Sequence, residues 1–393
     1  MYKEINEDIR YIGVDDTTLD LFEGQYIIPE GISYNSYVIM DEEIAIMDTV
    51  DVRKTDEWLD KLENALEGRK PNYVVVLHME PDHAGSLKHL IDKYPEMKIV
   101  GNTKTFIFIG QFFDIDMEDK KIVVNEGDNL KLGKHTLTFV NAPMVHWPEV
   151  MVAYDDISKC LFAADGFGKF GALNGEVILK DKSEWACEAR RYYFNIVGKY
   201  GVQVQALLKK ASTLDIQMIC PLHGPVLDND LEYFINKYDI WSSYKAEDKG
   251  VLVAYASIHG NTKKAAEKMV ELLKEAGEEK VAVTDLTRDD IAEAVEDAFR
   301  YDRMVLAAAS YDAGVFTSME VFLNRLLHKG YKNRTVAIIE NGTWAPTAAK
   351  TMKNILAEMK DVTVIEDIVT IKSSMNEKNL VEMDELAKII VSK

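Results

Sequence analysis

The chain is poor in cysteine, poor in positive charge and without a long apolar run, and each shortage removes a class of protein. Its 393 residues hold three cysteines, Cys160, Cys187 and Cys220. They are odd in number and far apart, and none belongs to a C-x-x-C. A disulfide framework, a zinc ribbon and a cysteine-ligated iron–sulfur cluster are therefore disfavoured, and a reducing, cytoplasmic setting fits. Lys and Arg number 46 against 66 Asp and Glu, a formal charge of -20. Such a surface repels phosphate backbones and anionic lipid, so no nucleic acid and no membrane is expected as a partner. No apolar run approaches the ~18 residues that span a bilayer. The opening MYKEINEDIR lacks the apolar core of a signal peptide. Repeats and low-complexity tracts are missing too.

What is present is an ordinary globular balance, 47% hydrophobic and 28% charged, in a chain long enough for two or three domains of roughly 150 residues. The clearest break is the polar stretch SSYKAEDKG at Ser242–Gly250. It divides the chain into an expected domain over 1–249 and a second over 250–393. Beyond it, apolar runs begin at Val251, Lys280, Arg303, Arg334 and Val362. Helical patterns separate them at Asn261–Ala276, Asp289–Phe299, Ser318–Lys329, Ala345–Lys360 and Asn376–Val391. Strands alternating with helices predict a doubly wound five-stranded parallel sheet. The first half is less regular. A hairpin is expected at Tyr37–Val50, helices at Arg53–Leu66 and Ser183–Tyr200, and short strands near residues 73–77, 98–100, 121–124, 137–140, 150–154, 160–164 and 218–220. Many short strands with few helices predict a mixed α+β sandwich.

Histidine is scarce, eight in all, and four of the eight sit in loops that follow strand-like runs. YVVVL leads into His78-Met79-Glu80-Pro81-Asp82-His83. Later loops carry His146 before Trp147, Asp165 before Gly166, and His223 before Gly224. Strand ends are where rigid scaffolds place functional loops. Four imidazoles and three carboxylates are too many ligands for one ordinary metal site and enough for two. Asp165, alone on its loop, is the natural bridge. Imidazole mixed with several carboxylates suits iron or manganese and admits zinc. His89, His135 and His328 lie outside this pattern and read as structural.

The second half has its own loops at strand ends. Ser257-Ile258-His259-Gly260-Asn261-Thr262 opens a helix, and free N–H groups at a helix start favour an anion. It is neither G-x-G-x-x-G nor a P-loop, which disfavours a dinucleotide and ATP. Ser310-Tyr311-Asp312-Ala313-Gly314 and Asn341-Gly342-Thr343-Trp344 combine small residues with an aromatic ring that can face a flat ligand, although Tyr311 and Trp344 also read as ordinary packing aromatics.

The order H-x-[EH]-x-D-H, then H, D and H, resembles the ligand set of the metallo-β-lactamase fold. Its hydrolases usually place His where this chain has Glu80. That replacement, followed by a flavodoxin-like domain with S-x-x-G-N-T, is similar to the flavodiiron (A-type flavoprotein) family over essentially the whole chain. The resemblance implies a metallo-β-lactamase-like αββα sandwich followed by the flavodoxin-like sheet. It implies that His78, Glu80 and His146 hold one iron, that Asp82, His83 and His223 hold the other, and that Asp165 bridges. The three loops of the second domain would hold FMN, with His259 where relatives often carry an aromatic ring. Reduction of dioxygen to water, of nitric oxide to nitrous oxide, or of both is the implied reaction. A head-to-tail homodimer, or a dimer of dimers, would bring a partner's flavin to this chain's irons, with Trp147 and Trp344 near the junction and Tyr193 close behind the metals. Electrons would come from a separate donor such as rubredoxin or a reduced deazaflavin. Two further readings stay open: a zinc-dependent hydrolase of the metallo-β-lactamase fold fused to a flavodoxin-like electron-transfer module, and an electron carrier whose metals are structural.

Overall fold

The computed structural model describes all 393 residues. Its contacts divide into two units, Met1–Tyr193 with Val202–Asp239, and Phe194–Gly201 with Ile240–Lys393.

The first unit is built on two sheets. Seven strands follow the order Lys3–Glu4, Ile9–Tyr11, Tyr37–Ile39, Ala45–Met47, Tyr73–Val75, Lys98–Gly101 and Lys121–Val123. Five follow the order Asn129–Lys131, Thr136–Asn141, Met151–Asp155, Cys160–Phe162 and Met218–Cys220. The expected hairpin pairs Tyr37 with Met47 and Ile39 with Ala45. Strand Tyr73–Val75 then joins in parallel, so its run of Val residues is buried, as parallel strands require. Side-chain alternation divides the second sheet's two faces. Phe162 turns inward to meet the Tyr37 ring at 5.6 Å, while Leu161 and Ala163 turn outward toward the helix Gly201–Ala211.

The single helix expected at Ser183–Tyr200 is corrected. An α-helix covers Ala186–Tyr192, a π-turn Tyr193–Val197 and a 3₁₀ turn Gly198–Tyr200, before a helix at Gly201–Ala211 that the periodicity did not announce. Gly198 and Gly201 lower helix propensity there, and a widened turn absorbs the change of phase. The division between the two units falls at this irregularity, between Tyr193 and Phe194.

The second unit carries a parallel sheet in the order Val281–Asp285, Asp248–Ala256, Tyr301–Tyr311 and Arg334–Asn341. The expected fifth strand is two short segments, Val362–Val364 and Val369–Ile371, both paired to Arg334–Asn341. The first strand begins two residues before the expected domain start at Gly250. Val251, Val253 and Tyr255 alternate into a core shared with Ala265, Met269 and Leu273 of the helix Asn261–Glu275. The order reverses between Asp248–Ala256 and its neighbour Tyr301–Tyr311. A doubly wound sheet opens its ligand crevice at such a reversal, beyond the carboxyl ends of the strands.

Candidate functional site

Four strand ends of the first unit converge. Beyond Tyr73–Val75, the buried carboxylate of Asp48 accepts hydrogen bonds from the N–H groups of Leu77 at 2.8 Å and His78 at 3.2 Å, which fixes where His78 leaves the sheet. Pro81 then starts a short helix, Pro81–Ala84, carrying Asp82 and His83; proline suits that first position, where an N–H has no helical partner. The strand Cys160–Phe162 delivers Asp165 on a tight turn in which Gly166 N–H donates to the Ala163 carbonyl at 2.9 Å. A Cβ on Gly166 would lie 2.8 Å from that same oxygen, so the turn requires glycine.

The seven expected ligands fall into two groups, His78, Glu80, His146 and Asp165, then Asp82, His83 and His223, with the ligand atoms within each group no more than 4.8 Å apart. Asp165 lies between them. Its Oδ2 is 3.3 Å from His78 Nε2 and 3.0 Å from His146 Nε2. Its Oδ1 is 3.1 Å from His83 Nε2 and 3.9 Å from His223 Nε2. Glu80 Oε2 lies 3.0 Å from His146 Nε2, and Asp82 Oδ2 lies 3.2 Å from His223 Nε2. Despite these short separations, both oxygens of Asp82 and of Asp165, with Nε2 of His83, His146 and His223, are buried without a well-formed hydrogen bond. Lone pairs aimed at shared points rather than at one another are what cation ligation asks for, and buried polar atoms are otherwise costly to leave unpaired. The donor set fits a pair of metal ions.

The charges respond to each other. Burial opposes ionisation of Asp165, but the facing imidazoles of His78, His83 and His146 hold its carboxyl well below the usual range. Burial likewise opposes a charge on His146, yet the facing carboxylates of Asp165 and Glu80 raise its pKa to about 9. Cations placed at the two centres would displace these protons and take over the neutralisation of three carboxylates.

Sequence reasoning missed the groups that orient the ligands. Glu149 is fully buried, and its Oε1 lies 2.8 Å from His78 Nδ1 and accepts from Met79 N–H at 2.9 Å. The Ser33 carbonyl holds His223 Nδ1 at 2.7 Å. Both contacts leave Nε2 to face the centre, the usual arrangement behind a ligating histidine. The Trp147 ring lies 5.3 Å from that of His78. Of the two adjacent tyrosines, Tyr192 rather than Tyr193 is the one against the cluster. The Tyr192 ring lies 5.4 Å from that of His223, and its buried hydroxyl has no hydrogen-bond partner. Burial, then the charges of Asp165, Asp82 and Glu80, push the phenol well above its ordinary value. Tyr193 packs on Tyr238 at 5.1 Å. Consecutive helical residues point about 100° apart, so only one of the two can face the ligands.

In the second unit the three expected loops enclose a cleft of about 590 Å³. Ile258, His259, Asn261, Thr262, Ser310, Tyr311, Asp312, Ala313, Asn341, Gly342, Thr343 and Trp344 line it, and Thr347 and Ser373 join them unannounced. Ser257, Gly260 and Gly314 shape the loops instead. Ser257 Oγ accepts from Gly260 N–H at 3.1 Å, and the Gly314 carbonyl accepts from Thr347 Oγ1 at 2.8 Å. Ser310 is already engaged, its Oγ accepting from Thr347 and Ala348 N–H groups. No side chain caps the start of the helix Asn261–Glu275, so its first N–H groups are left to an anion. Trp344 is 91% exposed and Tyr311 47%, two rings at the cleft with open faces. The cleft fits a flat ligand with a phosphate end.

Two family models match the chain in succession. A family model described as ODP family beta lactamase matches residues 32–224, and one described as a flavodoxin domain matches residues 252–383. An uncharacterized protein of Methanocaldococcus jannaschii is 28% identical over 99% of this chain and 98% of its own length. The anaerobic nitric oxide reductase flavorubredoxin of Vibrio vulnificus is 26% identical over 86% of this chain and 70% of its own. The solved flavodiiron protein from Giardia intestinalis superposes with a TM-score of 0.93 at 26% identity, covering 100% of this chain and 96% of that one. With a metallo-β-lactamase-like unit carrying paired ligand groups, a flavodoxin-like unit after it in the sequence, and relatives that share both in order, this chain belongs to the flavodiiron protein family.

Proposed function

We propose that the chain is an oxidoreductase that passes electrons through FMN to a pair of iron ions and reduces dioxygen, nitric oxide or both. The observation that carries this reading is Asp165, with one carboxylate oxygen among His78, Glu80 and His146 and the other facing His83 and His223. The nitric oxide reductase named among the relatives supports the choice of a diatomic gas. When bound, FMN and two iron ions supply one-electron transfer and open coordination positions, which amino-acid side chains lack.

The residues divide the remaining work. The three carboxylates among the ligands favour the more highly charged, oxidised metals, and Glu80 in place of an imidazole strengthens that bias. Glu149 and the Ser33 carbonyl fix two imidazoles with Nε2 toward the centre. The Tyr192 hydroxyl is a proton-bearing group, buried beside the cluster, that no other side chain claims. The balance sets the demand on the donor. Dioxygen takes four electrons and four protons to two waters; two nitric oxides take two electrons and two protons to nitrous oxide and one water. These electrons come from a separate one-electron carrier such as rubredoxin, or from a reduced deazaflavin. In the head-to-tail homodimer proposed here, the open faces of Trp344 and Tyr311 find their cover in the second subunit. No helix is long and apolar enough to cross a membrane; a cytoplasmic location is part of the proposal.

The test is stopped-flow oxidation of the reduced protein by each gas, with metal and flavin content measured on the same sample. About two iron ions per chain and rapid oxidation by at least one gas are expected. Two zinc ions with hydrolytic activity and no reaction with either gas would overturn the proposal in favour of the fused hydrolase.

A further inference from the structure

The first unit contains an apolar cavity of about 170 Å³ that the ligand cluster does not use. Its origin is the alternation of the strand Cys160–Phe162. Phe162 turns into the core between the sheets, so Leu161 and Ala163 face outward. Val204, Leu207 and Ala211 approach from the opposite side, one face of the helix Gly201–Ala211 at the i, i+3, i+7 spacing. Ala163 and Ala211 both line the space, and where they stand larger side chains would fill it.

Two features bear on its use. The first is dryness. Its two side-chain hydroxyls are engaged: Ser212 Oγ donates to the Lys209 carbonyl at 2.8 Å, and the Tyr238 hydroxyl accepts from Phe167 N–H at 2.6 Å. An apolar cavity near 150 Å³ stays empty of water and takes up xenon or benzene. A larger ligand would need converging polar groups to orient it, and the walls offer none beyond these. The second is position. Its wall includes Val145 and Gly166, the chain neighbours of His146 and Asp165, with Phe167 next to them. Ser212, on the surface, and Ile235, 37% exposed, line it too.

We propose that this cavity takes up the neutral diatomic gas from solvent and holds it behind the ligand cluster. The inference rests on the gas-reductase reading above. Charged carboxylates and imidazoles draw water rather than an apolar gas, so a dry store one residue from two ligands raises the local gas concentration where the cluster itself cannot. No bond is made or broken in the cavity.

The experiment uses the full chain loaded with iron and FMN. Val204→Phe and Ala211→Phe fill the space from the helix, away from every ligand. Reoxidation by dioxygen and by nitric oxide is followed with and without xenon under pressure. The second-order rate constant should fall roughly tenfold in both variants, with metal content and the rate at saturating gas unchanged. Xenon should slow the unmodified protein and leave the filled variants unaffected. If the variants do not fold, the xenon comparison on the unmodified chain decides. Equal rate constants in filled and unmodified protein, or reoxidation indifferent to xenon, would overturn the proposal. An unmodified, loaded protein inert to both gases is a different result, and it removes the gas-reductase reading and this inference together.

Discussion

Glu149 illustrates how much of the metal site resides in residues that touch no metal. It is buried, spends one oxygen on His78 Nδ1 and Met79 N–H, and keeps His78 Nε2 pointed at Asp165 and Glu80. A carboxylate behind a ligating imidazole fixes its tautomer and raises its basicity, and losing such a partner costs about 10–100-fold in metal affinity. Glu149→Gln keeps the shape and drops the charge, so it should weaken iron binding by about tenfold. Glu149→Ala also leaves His78 free to turn and should weaken it by about a hundredfold. A chelator competition followed by iron absorbance checks both. Equal affinity in all three proteins would mean that the Glu149 contact only packs. The sequence shows this residue merely as the acid in a Trp-Pro-Glu stretch, where a surface position is the ordinary expectation. The clustering of the seven proposed ligands was legible because each follows a strand-like run, whereas Glu149, Asp48 and the Ser33 carbonyl act from positions that have no local signature.

At the scale of elements, regular periodicity was readable and interrupted periodicity was not. The four longer strands and the helices Asn261–Glu275 to Glu377–Val391 of the second unit lie within a few residues of their expected places because each is long enough to show a repeat. Pairs such as Leu21–Phe22 and Tyr26–Ile27 are too short to show one, and the π-turn at Tyr193–Val197 shifts the phase that would have told Tyr192 from Tyr193. The loop before the helix Asn261–Glu275 offers a sharp test of element design. Gly260 has φ of 88°, and a Cβ there would meet nothing within 4 Å. Gly260→Ala therefore costs only backbone strain, about 1–2 kcal/mol, borne by the loop that presents the N–H groups. Flavin affinity should fall roughly tenfold, read by fluorescence titration, with iron content unchanged. The turn before strand Thr136–Asn141 gives a pH test. His135 lies 2.8 Å from Asp155 and 3.2 Å from Asp8, fully buried. Burial disfavours its charge, but Asp155 and Asp8 outweigh that and raise its pKa. Burial likewise opposes ionisation of Asp155, yet His135 lowers its pKa. A raised histidine stabilises fully below its unfolded value, near 6.5, and loses that effect as pH rises through the folded value. A lowered aspartate stabilises above roughly 4 and loses the effect as pH falls through its folded value. His135→Gln should therefore lower the unfolding temperature most between about pH 4 and 6.5 and least near pH 9. A decrement independent of pH would show that the pair acts by packing alone.

At the scale of the whole molecule, the question is whether electrons cross between chains. The two units carry separate sites, and each can be disabled alone: Asp165→Asn removes the bridge between the ligand groups, and Gly260→Ala combined with Thr262→Ala weakens the flavin loop. Each variant by itself, assayed with flavin too dilute to fill the weakened loop, should be inactive with an external donor. Head-to-tail pairing makes a distinct prediction for their mixture. A heterodimer joins the intact flavin site of one subunit to the intact metal site of the other, and it does so at one of its two junctions. Half of randomly exchanged dimers are heterodimers, so the mixture should recover about a quarter of the unmodified activity. Transfer confined to one chain gives no recovery, because no chain in the mixture keeps both sites. Subunit exchange is confirmed by mass on differently tagged copies, which separates a failure to exchange from a failure to complement. Trp344→Ser, changed at the 91% exposed ring beside the flavin cleft, should reduce recovery in parallel with dimer content measured by sedimentation. Undiminished recovery in that variant would place the junction elsewhere on the surface, while an inactive mixture of proven heterodimers would confine the electron path to a single subunit.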